Sequence, residues 1–492
     1  MMSRLFWKSL WIVLLLLVVG AFALFFLLFR PVAQPSTNDL AETFNHGSIG
    51  NEEAQGIPYW IWRVLPQIFP DKLPGNRDGY GTFGLYWQAG DQVPVGLSVK
   101  TLGAIERVSP NCAFCHQGSY RLQPDQPAKL VEAGAGTRVN PQAYIRFLIA
   151  AGTDPRFTSK RIMAEIATIY DMPIWERALY RFVLIPATRA ALTEQGRRFA
   201  WMKDRPDWGP GRIDPFNPVK FQNLRLADDG TIGNSDMMPL WSLSDLTATN
   251  TRRFSLHWDG LQTDLYETVV SGAIGDGMTY KSYSGTEANL RRVMDFVRVQ
   301  APPPSPFSTV KPAGDPYHLD VAAVDAGRVI YQGQCALCHD ATGARYRTPI
   351  PIVEVGTDRH RIDMWTPAAR DRYAVYEPGY AWGFTNFQKT EGYVATSLRG
   401  LWLRGPYLHN GSVPTMRALL DPPGQRPKLF YRGYDLVDTA DGGFVSAADT
   451  DGARYGTLYD TSKPGNGNGG HLWGTDLSPE AKDQLIAYLK TL

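Results

Sequence analysis

The chain has 492 residues, 50 Lys and Arg against 48 Asp and Glu, and 12% aromatic residues with fourteen Trp. A formal charge of +2, with no basic run and no phosphate-binding Gly-rich loop, excludes a nucleic-acid surface built on charge. The length allows at least two core-forming units, and four cysteines are too few for a disulfide scaffold.

An apolar run from Leu10 to Phe29, preceded by Arg4 and Lys8, predicts a single transmembrane anchor. The positive flank leaves residues 1–9 in the cytoplasm and everything after Arg30 outside. A cleaved signal peptide fits less well, because the run ends in Phe25-Phe26-Leu27-Leu28-Phe29 rather than a small-residue site. The expected address is therefore a bacterial inner membrane, single-pass, with most of the chain in the periplasm. Residues 30–56 are polar, carry Pro31, Pro35, Gly47, Gly50 and Gly56, and predict a tether with little fixed structure.

The folded body is expected to begin at Ile57. Cys112-Ala113-Phe114-Cys115-His116 has the spacing C-x-x-C-H, and Cys335-Ala336-Leu337-Cys338-His339 repeats it. Two thiols one helical turn apart add to the vinyl groups of a haem, and the next residue turns its imidazole onto the iron. A disulfide or zinc pair needs no trailing His. Two covalent haem c groups are expected, held by Cys112 and Cys115 with His116, and by Cys335 and Cys338 with His339. All four cysteines are then used.

Helical spacing recurs late in each half, at Leu290, Val293, Phe296 and Val297 and again at Leu485, Tyr488, Leu489 and Leu492. Each pattern predicts a terminal helix packed on a haem-motif helix, and Ser478-Pro479 predicts the start of the second. Pro302, Pro303, Pro304 and Pro306 break the chain between them. The expected organisation is mainly α: a haem domain at 57–300 with a long insert, a linker at 301–319, and a cytochrome c domain at 320–492.

With these motifs placed, the chain resembles the bacterial di-haem cytochrome c peroxidase superfamily. The resemblance rests on His257-Trp258-Asp259-Gly260 followed by a helix bearing Glu267, and on Ser397-Leu398-Arg399 followed by Pro406-Tyr407-Leu408-His409-Asn410-Gly411-Ser412. It implies that Trp258 lies between two haems and shares their electrons, and that Glu267 moves a proton on the distal side of the first. It also implies periplasmic redox partners, either a small electron-transfer protein or a quinol-linked donor, and leaves open calcium between the domains. Thr268 stands where the peroxidases have Gln, and the late His471 resembles the rubber-oxygenase-like branch.

Axial ligands separate relay from reaction, because an iron with two strong ligands transfers electrons and one with an open face binds oxygen species. No His or Met follows His116 locally, so the first haem is expected to be open, with His257 or Met237 as distant alternatives. For the second, His471 in a Gly-rich loop leads, with Tyr393 and Met364 as alternates. Arg399 and Arg404 are candidates for the haem propionates, and His409 for a structural role. Three functions fit: peroxide reduction, dioxygen cleavage of an apolar alkene such as a polyisoprenoid, and electron transfer alone.

Overall fold

A computed structural model describes residues 4–29, 38–76, 79–245, 254–376 and 384–492. Side chains at 4–9, 23–29 and 76 are not described.

The fold is mixed α/β, with 44% helix and 12% strand, and not mainly α. The strands are short antiparallel pairs. Ile105–Pro110 lies between Leu97–Leu102 and Ile57–Pro58, with Val108 opposite both Val99 and Ile57. Leu97 and Val99 alternate with Ser98 and Lys100, a period of two that a search for helical spacing overlooks. The left-handed Gly103 (φ 65°) turns the hairpin.

The N-terminal helix Arg4–Phe29 is present, but among the described residues no helix is long and apolar enough to cross a membrane. Its described side chains run only from Leu10 to Phe22. The anchor at 10–29 is not upheld, nor is the inner-membrane placement that rested on it.

The tether also needs correction. Residues 30–37 lie outside the described residues, and from Asp39 onward the chain is folded. Asp39 caps the helix Leu40–His46, and Phe44 is buried, stacking on Phe296 of the helix Glu287–Val299 at 4.7 Å. The Gly residues read as linker punctuation instead serve turns and close contacts.

The second half places Val321–Gln334 across the terminal helix Pro479–Thr491. Tyr331 meets Tyr488 at 5.2 Å, and Val324, Leu485 and Leu489 fill the seam. Ser478 Oγ accepts from Ala481 N at 3.2 Å and starts the terminal helix. The Pro-rich stretch after residue 301 is packed, with Phe307 and Tyr317 buried and the Tyr317 hydroxyl donating to the Leu122 carbonyl at 2.6 Å. One apolar core runs through both halves, from Phe44 and Ala113 to Trp402 and Leu489.

Gly327 lies where the two helices of the second half cross, and a Cβ there would overlap the Gln484 carbonyl oxygen. Gly327→Ala is expected to destabilise by about 2 kcal/mol or more, read from the urea unfolding midpoint. Gly333→Ala in the same helix, where a Cβ meets nothing, should leave the midpoint unchanged or raise it.

Candidate functional site

The first C-x-x-C-H motif is delivered by the strand Ile105–Pro110. Asn111, 1% exposed, ends that strand, and its Oδ1 accepts from Ala113 N at 3.0 Å to start the turn Cys112–Cys115. Its Nδ2 donates to the carbonyls of Asn45 and Gly47 at 3.1 and 3.2 Å. His116 Nδ1 donates to the Met238 carbonyl at 2.9 Å, which fixes the tautomer and leaves Nε2 for a metal.

The second motif repeats this geometry. The helical turn Ala336–His339 follows Cys335, and His339 Nδ1 donates to the Thr396 carbonyl at 2.8 Å. Facing it is His471, with ring centroids 6.4 Å apart and planes inclined at 46°. A metal bound at about 2 Å by one nitrogen of each ring would separate the centroids by roughly 6 Å. Burial, then the neighbouring His339 and Arg426, pushes His471 down to about 4, and burial also lowers His339. Both imidazoles are therefore neutral at neutral pH, the form that ligates.

The residues fit haem c on further grounds. Burial pushes the thiols of Cys112 and Cys335 up, to about 12 and about 11, and raises Cys115 and Cys338 as well. Such thiols are poor redox or zinc thiolates, and all four are free. Beside the second motif, Arg347 and Arg404 approach each other, and neither forms an ion pair among the described residues. Arg404 Nη1 donates to the Ser397 carbonyl at 2.5 Å, while its buried Nε has no partner. Two uncompensated guanidinium groups suit the carboxylates of a macrocycle. Arg399 is exposed, so of that pair only Arg404 is placed for this role.

The alternate ligands are occupied elsewhere. The Tyr393 hydroxyl donates to the Asp358 carbonyl at 2.7 Å, and its ring stacks on His409 at 3.8 Å. Met364 is buried in a separate apolar cluster with Trp365. On the first side, Met237 packs its sulfur against Gly136. His257 is left-handed (φ 64°), and its buried Nε2 has no hydrogen-bond partner. Burial, then Arg361 and His116, pushes it down to about 3. Among the described residues, His116 faces no imidazole as His339 does.

Trp258 sits between the two motifs' supports. Its Nε1 donates to the Asp236 carbonyl at 2.8 Å, two residues before the carbonyl that holds His116. Its own carbonyl accepts from Val394 N at 2.8 Å, two residues before the carbonyl that holds His339. Glu267 is buried and engaged: it accepts from Gln262 Nε2 at 2.8 Å, from Asn386 N and Nδ2 at 3.1 and 2.7 Å, and from Thr385 Oγ1 at 3.3 Å. Among the described residues, no cluster of three or more His, Cys, Asp or Glu side chains could hold a metal ion such as calcium.

Asp276, at the other end of Glu267's helix, escaped the sequence reading. It lies near Cys112 and Cys115, and burial pushes it up to about 7.

Residues 392–431 match the family model described as RoxA-like, cytochrome c-like. That match supports haem c as the group held by this part of the chain. The chain is 46% identical over 109 residues to the uncharacterized protein y4iJ of Sinorhizobium fredii, covering 20% of this chain and 18% of that protein. It is 29% identical over 225 residues to the uncharacterized protein y4iM of the same organism, covering 37% of this chain and 51% of that protein. The chain thus spans about half of y4iM and less than a fifth of y4iJ.

A carboxyl group raised on folding holds its proton better in the native state. Stability from Asp276 is therefore full below the ordinary carboxylate range and is lost as pH rises through about 7. Asp276→Asn is expected to flatten the fall in urea midpoint between pH 5 and 8.

Proposed function

We propose that this chain is a di-haem c oxidoreductase in which the second haem relays electrons and the first, open on one side, reacts with dioxygen or a peroxide. The observation that carries the reading is the asymmetry of the two motifs: His471 stands in ring contact with His339, whereas among the described residues His116 has no imidazole ring contact, His257 being near it only electrostatically. Bound haem supplies one-electron chemistry, and on an open face the activation of an oxygen species.

The chain's own residues position and insulate that chemistry. Cys112, Cys115 and His116 would hold the first haem, and Cys335, Cys338, His339 and His471 the second. The hydrogen bonds to Met238 and Thr396 keep both proximal imidazoles oriented and make them stronger donors. Trp258, bonded to both supporting segments, is the aromatic side chain placed to pass an electron between them. Glu267 organises the loop at Asn386 rather than standing free, so proton handling on the first side falls to groups nearer Cys112, such as Asp276. The electron donor or acceptor would be a small redox protein or a quinol-linked partner.

Two observations favour dioxygen and an apolar alkene over peroxide as substrates. The RoxA-like match at 392–431 is one. The other is the pinned Glu267, with Thr268 where the peroxidases have Gln.

Electron paramagnetic resonance of the fully ferric, haem-loaded chain should show a low-spin signal from the second haem. A high-spin signal from the first should appear in that state or after addition of one electron. Two low-spin signals persisting in both states would leave an electron-transfer cytochrome. Dioxygen uptake with a polyisoprenoid, against peroxide consumption with a reduced cytochrome, then separates the substrates.

A further inference from the structure

The loop that carries His471 is held by one buried cation. Arg426 is 2% exposed, and its guanidinium group donates to five main-chain carbonyls. Nη1 reaches Asn468 and Gly470 at 2.6 and 2.9 Å, and Nη2 reaches Leu419 and His471 itself at 3.2 Å each. Nε reaches Asp421 at 3.0 Å. All five donors of the group are used, and among the described residues Arg426 forms no ion pair, since Asp421 offers its carbonyl.

The loop cannot hold this shape by local preference. His471 is left-handed, at φ 50°, a conformation costly for a residue with a side chain. Gly470 is also left-handed, and a Cβ there would overlap the main chain of Gly356 and Thr357. His471 N donates to the Val355 carbonyl at 2.7 Å, which pins the loop on its other side. The ring gains little from the protein, because its buried Nδ1 has no partner beyond its own residue. The ring's direction is therefore set by the backbone, and the backbone is set from one side by Arg426. Removing a charged group from water without a carboxylate to meet it is expensive. Closing a surface loop does not require it.

We propose that Arg426 is the positioning residue for the sixth ligand of the second haem, holding His471 against detachment from the iron. The proposal rests on the reading of His471 as that ligand, and the two can fail separately.

The test uses the full, haem-loaded chain in the H471A, R426Q and R426K forms. It follows the spin state of the second haem by electron paramagnetic resonance and near-infrared magnetic circular dichroism, together with its midpoint potential. H471A should lose the low-spin bis-imidazole signature, and added imidazole should restore it. R426Q should lose that signature in most molecules, again with recovery on imidazole, and R426K should lose it in part, because a point charge cannot span five carbonyls. Far-ultraviolet circular dichroism checks that the fold is kept. A low-spin signature and potential unchanged in R426Q overturn the clamp. If R426Q fails to fold, an unchanged signature in folded R426K overturns it instead. An unchanged signature in H471A overturns the ligand assignment beneath it.

Discussion

Two hydrogen bonds from imidazole to main-chain carbonyl organise the molecule: His116 to Met238 and His339 to Thr396. Each determines which ring nitrogen is free, and so in which direction a metal can lie. The two accepting segments are far apart in sequence, yet Trp258 joins them, donating to Asp236 on one side and accepting from Val394 on the other. The strand pair Gly392–Val394 with Pro349–Pro351 and the short pair Arg212–Ile213 with Ser235–Asp236 hold these segments in place. These small sheets, which make the fold mixed, therefore place both histidines at fixed positions relative to one indole.

The haem motifs were legible because their chemistry is local. A thiol pair one turn apart with the imidazole next to it has few other uses, and no tertiary contact is needed to recognise it. His471 stands out in the sequence for a related reason, since a Gly-rich loop permits the left-handed backbone it adopts and close approach. The terminal helix was readable from Ser478, Pro479 and its apolar stripe. What escaped depended on partners distant in sequence. Arg426 looks like any surface arginine until Gly470 and His471 return to it. Phe44 reads as a linker residue until Phe296 stacks on it. Glu267 also has a local pattern: Asp264 caps its helix and Glu267 sits at the third position of a helix start. The family resemblance implies a proton role for it, and its hydrogen bonds tie it to the loop at Asn386.

Five of the arginines fall into two groups, while a sixth, Arg212, 1% exposed, lies over the Tyr459 ring and donates to the Gly465 carbonyl. Arg432 pairs with Asp236 at 2.6 Å and Arg361 with Asp259 at 3.2 Å, so their charge is answered within the protein. Among the described residues Arg347, Arg404 and Arg426 form no ion pair and are answered by carbonyls and, for the first two, hydroxyls. Carbonyl dipoles satisfy donors but leave net charge, and that charge favours an anionic neighbour or a reduced metal. All three lie on the side of the second motif: Arg404 near His339 and Arg426 against the His471 loop.

This uneven distribution of charge bears on the direction of electron flow. A positive surround raises the potential of a nearby redox centre, and two imidazole ligands keep its geometry unchanged between oxidation states. A site of that kind accepts electrons readily and reorganises little. Around the first motif the acids are closer: Asp276 approaches Cys112 and Cys115, and Arg361 is already paired with Asp259. Asp276, raised to about 7 by burial, carries at most part of a charge at neutral pH, so the contrast between the two sides rests on the positive charge at the second. A redox centre held at the second motif would then have the higher potential of two such centres. Trp258, hydrogen-bonded to both supports, is the one indole that ties the two motifs' accepting segments together.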